Sequence, residues 1–277
     1  MKTDSIYQSI LRTLIVIFGV LMILSACKQT KKESSDTDGS AVESAEQDDV
    51  IQELTTYPLP SAYEVTEMLQ NAGASYILSL SNPASKVGNY ISSAEKALNL
   101  GVYGTDLSYA STYMMKQETM KYLESSKKLV DELEISTTFN VDYAERVENN
   151  LDNRDSLIGI ISDSFTDTWE YLVENEQDKL AILMISGSYI EGIYITSQIA
   201  ITASDNTEFL EVIAHQKKSL NSLVNVIKPI NKDADIAEIY KSLVDLAKVF
   251  EDVGETLTDE QLEKIVSKIE PLRESIV

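Results

Sequence analysis

The sequence predicts an all-α fold, an antiparallel multi-helix bundle with a central buried helix, preceded by a signal peptide and a flexible tether. Three observations carry this prediction. Apolar residues recur at three- and four-residue spacing, as in Ile236, Ile239, Tyr240, Leu243, Leu246, Ala247 and Phe250, and in Leu210, Ile213, Leu220, Val224 and Ile227 before Pro229. Strand-type alternation is confined to Tyr76-Ile-Leu-Ser-Leu80, which stops at Asn82-Pro83. Capping-box signals, a small polar residue three positions before Glu or Gln, stand at Ser61-Ala-Tyr-Glu64, Asp205-Asn-Thr-Glu208 and Thr258-Asp-Glu-Gln261.

In chain order, Lys2 and Arg12 precede an uncharged run from Leu14 to Leu24, whose length suits a signal-peptide core and falls short of a membrane span. The next residues, Leu24-Ser25-Ala26-Cys27, resemble the bacterial lipobox. That resemblance implies diacylation of the Cys27 sulfur, cleavage before Cys27 and acylation of the new amino group. Ser25 and Ala26 would also serve an ordinary cleavage site, but Cys27 is the only cysteine in 277 residues and stands where a lipobox needs it. It leaves no intrachain disulfide. Two or more acyl chains hold a protein stably at a membrane, where one does not.

The chain carries 23 basic and 45 acidic residues, a net charge of −22. Loss of residues 1–26 removes Lys2, Arg12 and Asp4, leaving 21 basic and 44 acidic residues and a net charge of −23. Phosphate backbones and anionic headgroups repel such a body, so no nucleic-acid partner is expected and the membrane is met through lipid.

Residues 27–50 read as the lipidated tether. From Lys28 to Val50 they are rich in Ser, Asp, Glu and Lys and lack aromatic residues, and such a stretch cannot bury enough apolar surface to fold. Its typical reach is about 25–30 Å. Asp36-Thr-Asp38-Gly39 lacks the later ligands of a calcium loop and is discounted. Residues 51–277 suffice for a single domain with its own core. Helices are expected near 61–71, 84–100, 104–133, 141–151, 154–174, 178–203, 206–227, 234–252 and 258–275.

The stretch Leu180–Ala203 holds one charge, Glu191, in 24 positions. A central acid costs about 2.5–3.5 kcal/mol on insertion into a membrane, and an apolar-all-round helix in a soluble bundle belongs at its centre. The core-helix reading is therefore favoured over a membrane span. Small residues at every fourth position, Ser188, Gly192, Thr196, Ala200 and Ser204, with Gly187 beside them and matched by Gly104, Ser108 and Thr112, predict close approach of two helix axes. Asp106, Tyr109 and Tyr113 share one helix face, and Glu191, Tyr194 and Gln198 repeat that spacing on another. The cluster reads either as a buried polar network satisfied by hydroxyls or by an arginine, Arg154 being best placed in sequence, or as the wall of a small-molecule pocket.

Catalytic signatures are missing. The chain has no G-x-S-x-G, G-x-x-x-x-G-K-[ST] or G-x-G-x-x-G motif, and its single histidine, His215, excludes sites that need two. His215 reads as a surface residue and Trp169 as core. No enzyme activity, cofactor or metal is expected.

The phrases YPLPSAYEVTEML, LNLGVYGTDLSYA and SGSYIEGIYI are similar to those of a group of uncharacterised helical lipoproteins from Gram-negative anaerobes, over most of residues 57–200. The resemblance implies the architecture and no activity. Lys28 differs from the aspartate of an inner-membrane retention signal, and the Lys-Gln-Thr-Lys-Lys start departs from acidic surface-export tags, so an outer-membrane protein facing the periplasm is expected. The expected role is non-enzymatic interaction or scaffolding with an envelope partner. The alternative is small-molecule binding or sensing between helices 104–133 and 178–203.

Overall fold

A computed structural model describes residues 62–135, 141–203 and 205–277 of the chain. The signal peptide, Cys27, the tether and Ser61 lie outside the described residues. Among the described residues ten α-helices follow one another: α1 (Ala62–Asn71), α2 (Ser93–Thr112), α3 (Lys116–Glu132), α4 (Val141–Asn149), α5 (Arg154–Glu174), α6 (Asp178–Thr202), α7 (Thr207–His215), α8 (Lys217–Ile227), α9 (Ala237–Phe250) and α10 (Asp259–Ile276). Short 3-10 turns stand at Leu78–Leu80, Ala84–Asn89 and Lys228–Ile230, and no strand occurs among the described residues. The fold is all-α, with α6 at its centre.

At 25 residues, α6 is about 37 Å long. It is long and apolar enough to cross a membrane, yet 72% of its most apolar 18-residue window is buried inside the bundle. Helix α2 packs on α6 over the largest contact, and α10, α7, α1 and α5 cover further parts of it. On its other side, α2 is covered by α3. Trp169 is buried in α5 and His215 is exposed at the end of α7.

The α2–α6 contact explains why a buried helix keeps glycine. A Cβ on Gly101 would stand 1.9 Å from the Met184 carbonyl oxygen, and one on Gly187 would stand 2.0 Å from that of Leu98. Backbone therefore meets backbone at these two positions. Thr105 and Ser188 fasten the same seam through a hydroxyl contact of 2.9 Å. Of the expected stripe, Gly187 and Ser188 lie in this seam, a Cβ on Gly104 would stand 3.4 Å from the Phe165 ring, a Cβ on Gly192 would meet nothing within 4 Å, and Ser204 lies outside the described residues. Ser108 bonds back to the Gly104 carbonyl of its own helix.

Several helix boundaries differ from expectation. Helix α2 runs through Gly101 and Gly104, because close packing rewards them, and breaks at Tyr113–Met115 instead. Met114 takes a left-handed φ of 57° there, and Met115 N–H reaches the Ala110 carbonyl at 2.9 Å. The same closing bond follows α1, α3 and α5, with Gly73, Glu134 and Glu176 in the left-handed position. Three of the four stops therefore lack the glycine that would announce them. The expected helix 206–227 divides at Gln216, whose carbonyl accepts from both Leu220 N–H and the Tyr189 hydroxyl. The expected 84–100 helix begins only at Ser93, where Ser92 and Glu95 form a capping box. Thr258 and Gln261 form another on α10, but Asp205 bonds to Thr207 only, and Asn206 is the N-cap of α7. Tyr76–Leu80 enters a 3-10 turn and pairs with no strand.

Candidate functional site

The polar residues of α2 and α6 meet where segment 72–92 and the end of α10 close over them. Glu191 is fully buried, and Arg273 of α10 reaches it with two parallel bonds, Nε to Oε2 and Nη2 to Oε1, both 2.9 Å. Nη2 also donates to the Leu80 carbonyl at 3.2 Å, and the guanidinium lies 4.5 Å from the centre of the Tyr194 ring. Such forked pairs are strong and geometrically specific. Burial raises the Glu191 carboxyl above its ordinary range, and Arg273 acts against that shift.

Asp106 is also fully buried. Its Oδ2 accepts from the Asn82 backbone N–H at 3.0 Å, while Oδ1 has no hydrogen-bond partner. Burial, and then the charge of Glu191, hold its carboxyl well above the usual range. Asn82 is turned by its own amide, which donates to the Tyr90 hydroxyl at 2.8 Å and to Asn99 at 3.4 Å. Asn99 in turn donates to the Ile276 carbonyl at 2.7 Å, tying down the end of α10.

The expected cluster thus divides. Asp106, Glu191 and Tyr194 gather around Arg273. Tyr109 and Tyr113 join Tyr76 beneath the connecting segment, with ring centres 4.6–5.9 Å apart. Tyr109 accepts from Ile77 N–H at 2.9 Å. Gln198 reaches Glu270 of α10 at 2.6 Å. Arg154 is not the arginine of the cluster; it stands at the start of α5, 3.7 Å from Glu67.

Sequence reasoning missed Arg273, Asn82 and Asn99. Arg273 is one of only four arginines in the chain, and that scarcity beside a buried acid is a usable signal. No periodicity reveals Asn82, because it lies in irregular backbone.

The interior arrangement is a set of ties. Arg273, Asp106, Asn99, Tyr103 and Tyr109 each hold backbone of segment 72–92 or of α10 against α2 and α6, Tyr103 through a 3.0 Å bond to the Pro83 carbonyl. A cleft of about 510 Å³ opens at the start of α6, between Asp178, Ile182 and Pro229. Its Lys179 is already paired with Asp233 at 2.8 Å and Asp235 at 2.6 Å. No group of three His, Cys, Asp or Glu able to hold a metal occurs among the described residues. No protein-family model, curated protein or solved structure matches the chain.

Proposed function

We propose that the chain is a lipid-anchored protein of the cell envelope with a non-enzymatic interaction or scaffold role, held at the outer membrane and facing the periplasm. The observation that carries this reading is Leu24-Ser-Ala-Cys27 behind a charged start and an uncharged run, with Cys27 the sole cysteine. The interior supports a scaffold over a catalyst, because its buried acids are engaged in tying segments together. Exposed apolar side chains at Leu78 and Ile91, the latter 83% exposed, both lie on the segment joining α1 to α2 and suit contact with a protein partner.

Metabolic labelling with an alkyne fatty acid tests the anchor. Wild type should label and partition with membranes, Cys27→Ser should do neither, and globomycin should block maturation; an unlabelled wild type refutes the reading. Small-molecule binding is the second reading, favoured by the buried atoms without partners near Asp106, namely Tyr76 OH, Ser81 Oγ, Asn82 Oδ1 and Asp106 Oδ1. A thermal-shift screen of the full chain against metabolites tests it, and a hit abolished by Glu191→Gln would support it.

A further inference from the structure

Two fully buried acids, Glu191 and Asp106, share one guanidinium. Both forked bonds of Arg273 go to Glu191 and its remaining bond goes to Leu80, so none reaches Asp106. Asp106 receives a single donor, the Asn82 N–H, and its Oδ1 has no partner. An ionised carboxylate with one donor and no access to water is too costly to persist. A proton on Oδ1 removes the charge and turns that oxygen into a donor. The acceptor facing it is the Glu191 carboxylate; the nearby Ser81 hydroxyl acts the other way, as a donor that favours the ionised carboxylate.

We infer that Asp106 carries a proton in the closed fold, and that this proton fastens segment 74–92 and the end of α10 to the α2–α6 core. The same atoms do both jobs. Asn82 hangs on Asp106 Oδ2, Leu80 hangs on Arg273, and Arg273 is held by Glu191. Loss of the proton places a second negative charge beside Glu191, with no hydrogen bond from Arg273 or Lys86 reaching Asp106. The relief open to the fold is release of segment 74–92 and the last turn of α10, which lets water reach Asp106.

The other titratable groups around the pair do not take over this role. The connecting segment contributes Tyr76, Tyr90 and Lys86, α2 contributes Tyr103 and Tyr109, α3 contributes Tyr122, α6 contributes Tyr194, and α10 contributes Arg273, Glu270 and Glu274. Burial pushes the tyrosines upward, Tyr109 to about 12, so they stay neutral where Asp106 titrates. Lys86 faces Glu191 from the 3-10 turn.

The sign follows from linkage. The closed form binds one proton more than the open form, whose Asp106 has an ordinary pKa of about 3.9. Closure is fully favoured below that value and is lost as pH rises toward the raised pKa of the closed form. Within that window the opening constant should rise tenfold per pH unit.

Hydrogen exchange followed by mass spectrometry on the full chain, from pH 5 to pH 8, reads this constant. Peptides from α8 and α9, far from the acid pair in sequence, correct for base-catalysed exchange. In wild type, opening of residues 75–92 and 270–277 should grow up to tenfold per pH unit more than that of α8 and α9, and Asp106→Asn should show no such growth. Equal pH dependence of residues 75–92 and of α8 and α9 in wild type, or an unchanged slope in Asp106→Asn, overturns the inference. Should the variant fail to fold, infrared spectroscopy of wild type decides: a protonated carboxylic acid band that persists at neutral pH supports the buried proton, and its absence refutes it.

Discussion

Gly101→Ala puts one methyl group into the α2–α6 seam. Its carbon would fall 1.9 Å from the Met184 oxygen and 2.7 Å from the Ser188 nitrogen, the first more than 1 Å inside the 3.0 Å that such contacts keep. Both obstacles are backbone of a buried helix, so no side chain can swing aside and the helices must separate. Overpacking of this kind costs about 1–3 kcal/mol, and a gap of 0.5–1 Å forfeits roughly a quarter to a half of each dispersion contact along the seam. Alanine returns about 1 kcal/mol of helix propensity. The 1.9 Å approach puts the cost at the upper end, so the net expectation is a loss of up to about 2 kcal/mol, or a Tm fall of up to roughly 4–8 °C for a domain of this size. Gly192→Ala is the control: its Cβ meets nothing within 4 Å, so it should gain up to about 1 kcal/mol from propensity alone. Urea unfolding followed by circular dichroism measures both. If the two variants shift stability in the same direction by the same amount, the backbone-contact account of the seam is wrong.

Three further outcomes follow from the same contacts. Asn99→Ala removes the donor to the Ile276 carbonyl and should cost about 1–2 kcal/mol, with faster hydrogen exchange at the end of α10. Glu191→Gln should cost less than Arg273→Met, because Asp106 can surrender its proton and serve Arg273 in place of the lost charge; denaturant midpoints compare the two. In an alkaline titration followed by tyrosinate absorbance, the tyrosines raised by burial, including Tyr103, Tyr109 and Tyr122, should resist ionisation past pH 10 and then appear together with unfolding. Their folded pKa values lie above the unfolded value, so stability falls as pH climbs through that range. Smooth ionisation of every tyrosine near pH 10 would contradict this.

The helices were legible where one rule governs them. Arg154–Glu174 lies where expected at both ends, with Asn153 accepting from Ser156 N–H as its cap. Thr258 opens α10 as its capping box requires. Ser92 and Glu95 carry the same signal, eight residues after the expected start at 84. The stop at Met114 had no local sign, since left-handed Met is disfavoured and is held there by the Met115-to-Ala110 bond.

The site was legible in its acids and not in their partners. Spacing places Asp106 and Glu191 on helix faces, and desolvation says that each needs company. Which arginine supplies it depends on how α10 returns to α6 across 82 residues, a matter of tertiary packing. Asn82 and Leu80 act through backbone groups in irregular chain, where no side-chain pattern points to them.

The buried acid–arginine pair closes the interior as a tie between segments, and the stability of Arg273→Met against the double variant Glu191→Leu/Arg273→Met tests this most directly. Removing Arg273 alone strands a charge and should cost about 3–5 kcal/mol, whereas replacing both partners by apolar groups should restore at least about 2 kcal/mol of that loss. A double variant no more stable than Arg273→Met, or a single variant indistinguishable from wild type, would contradict the account.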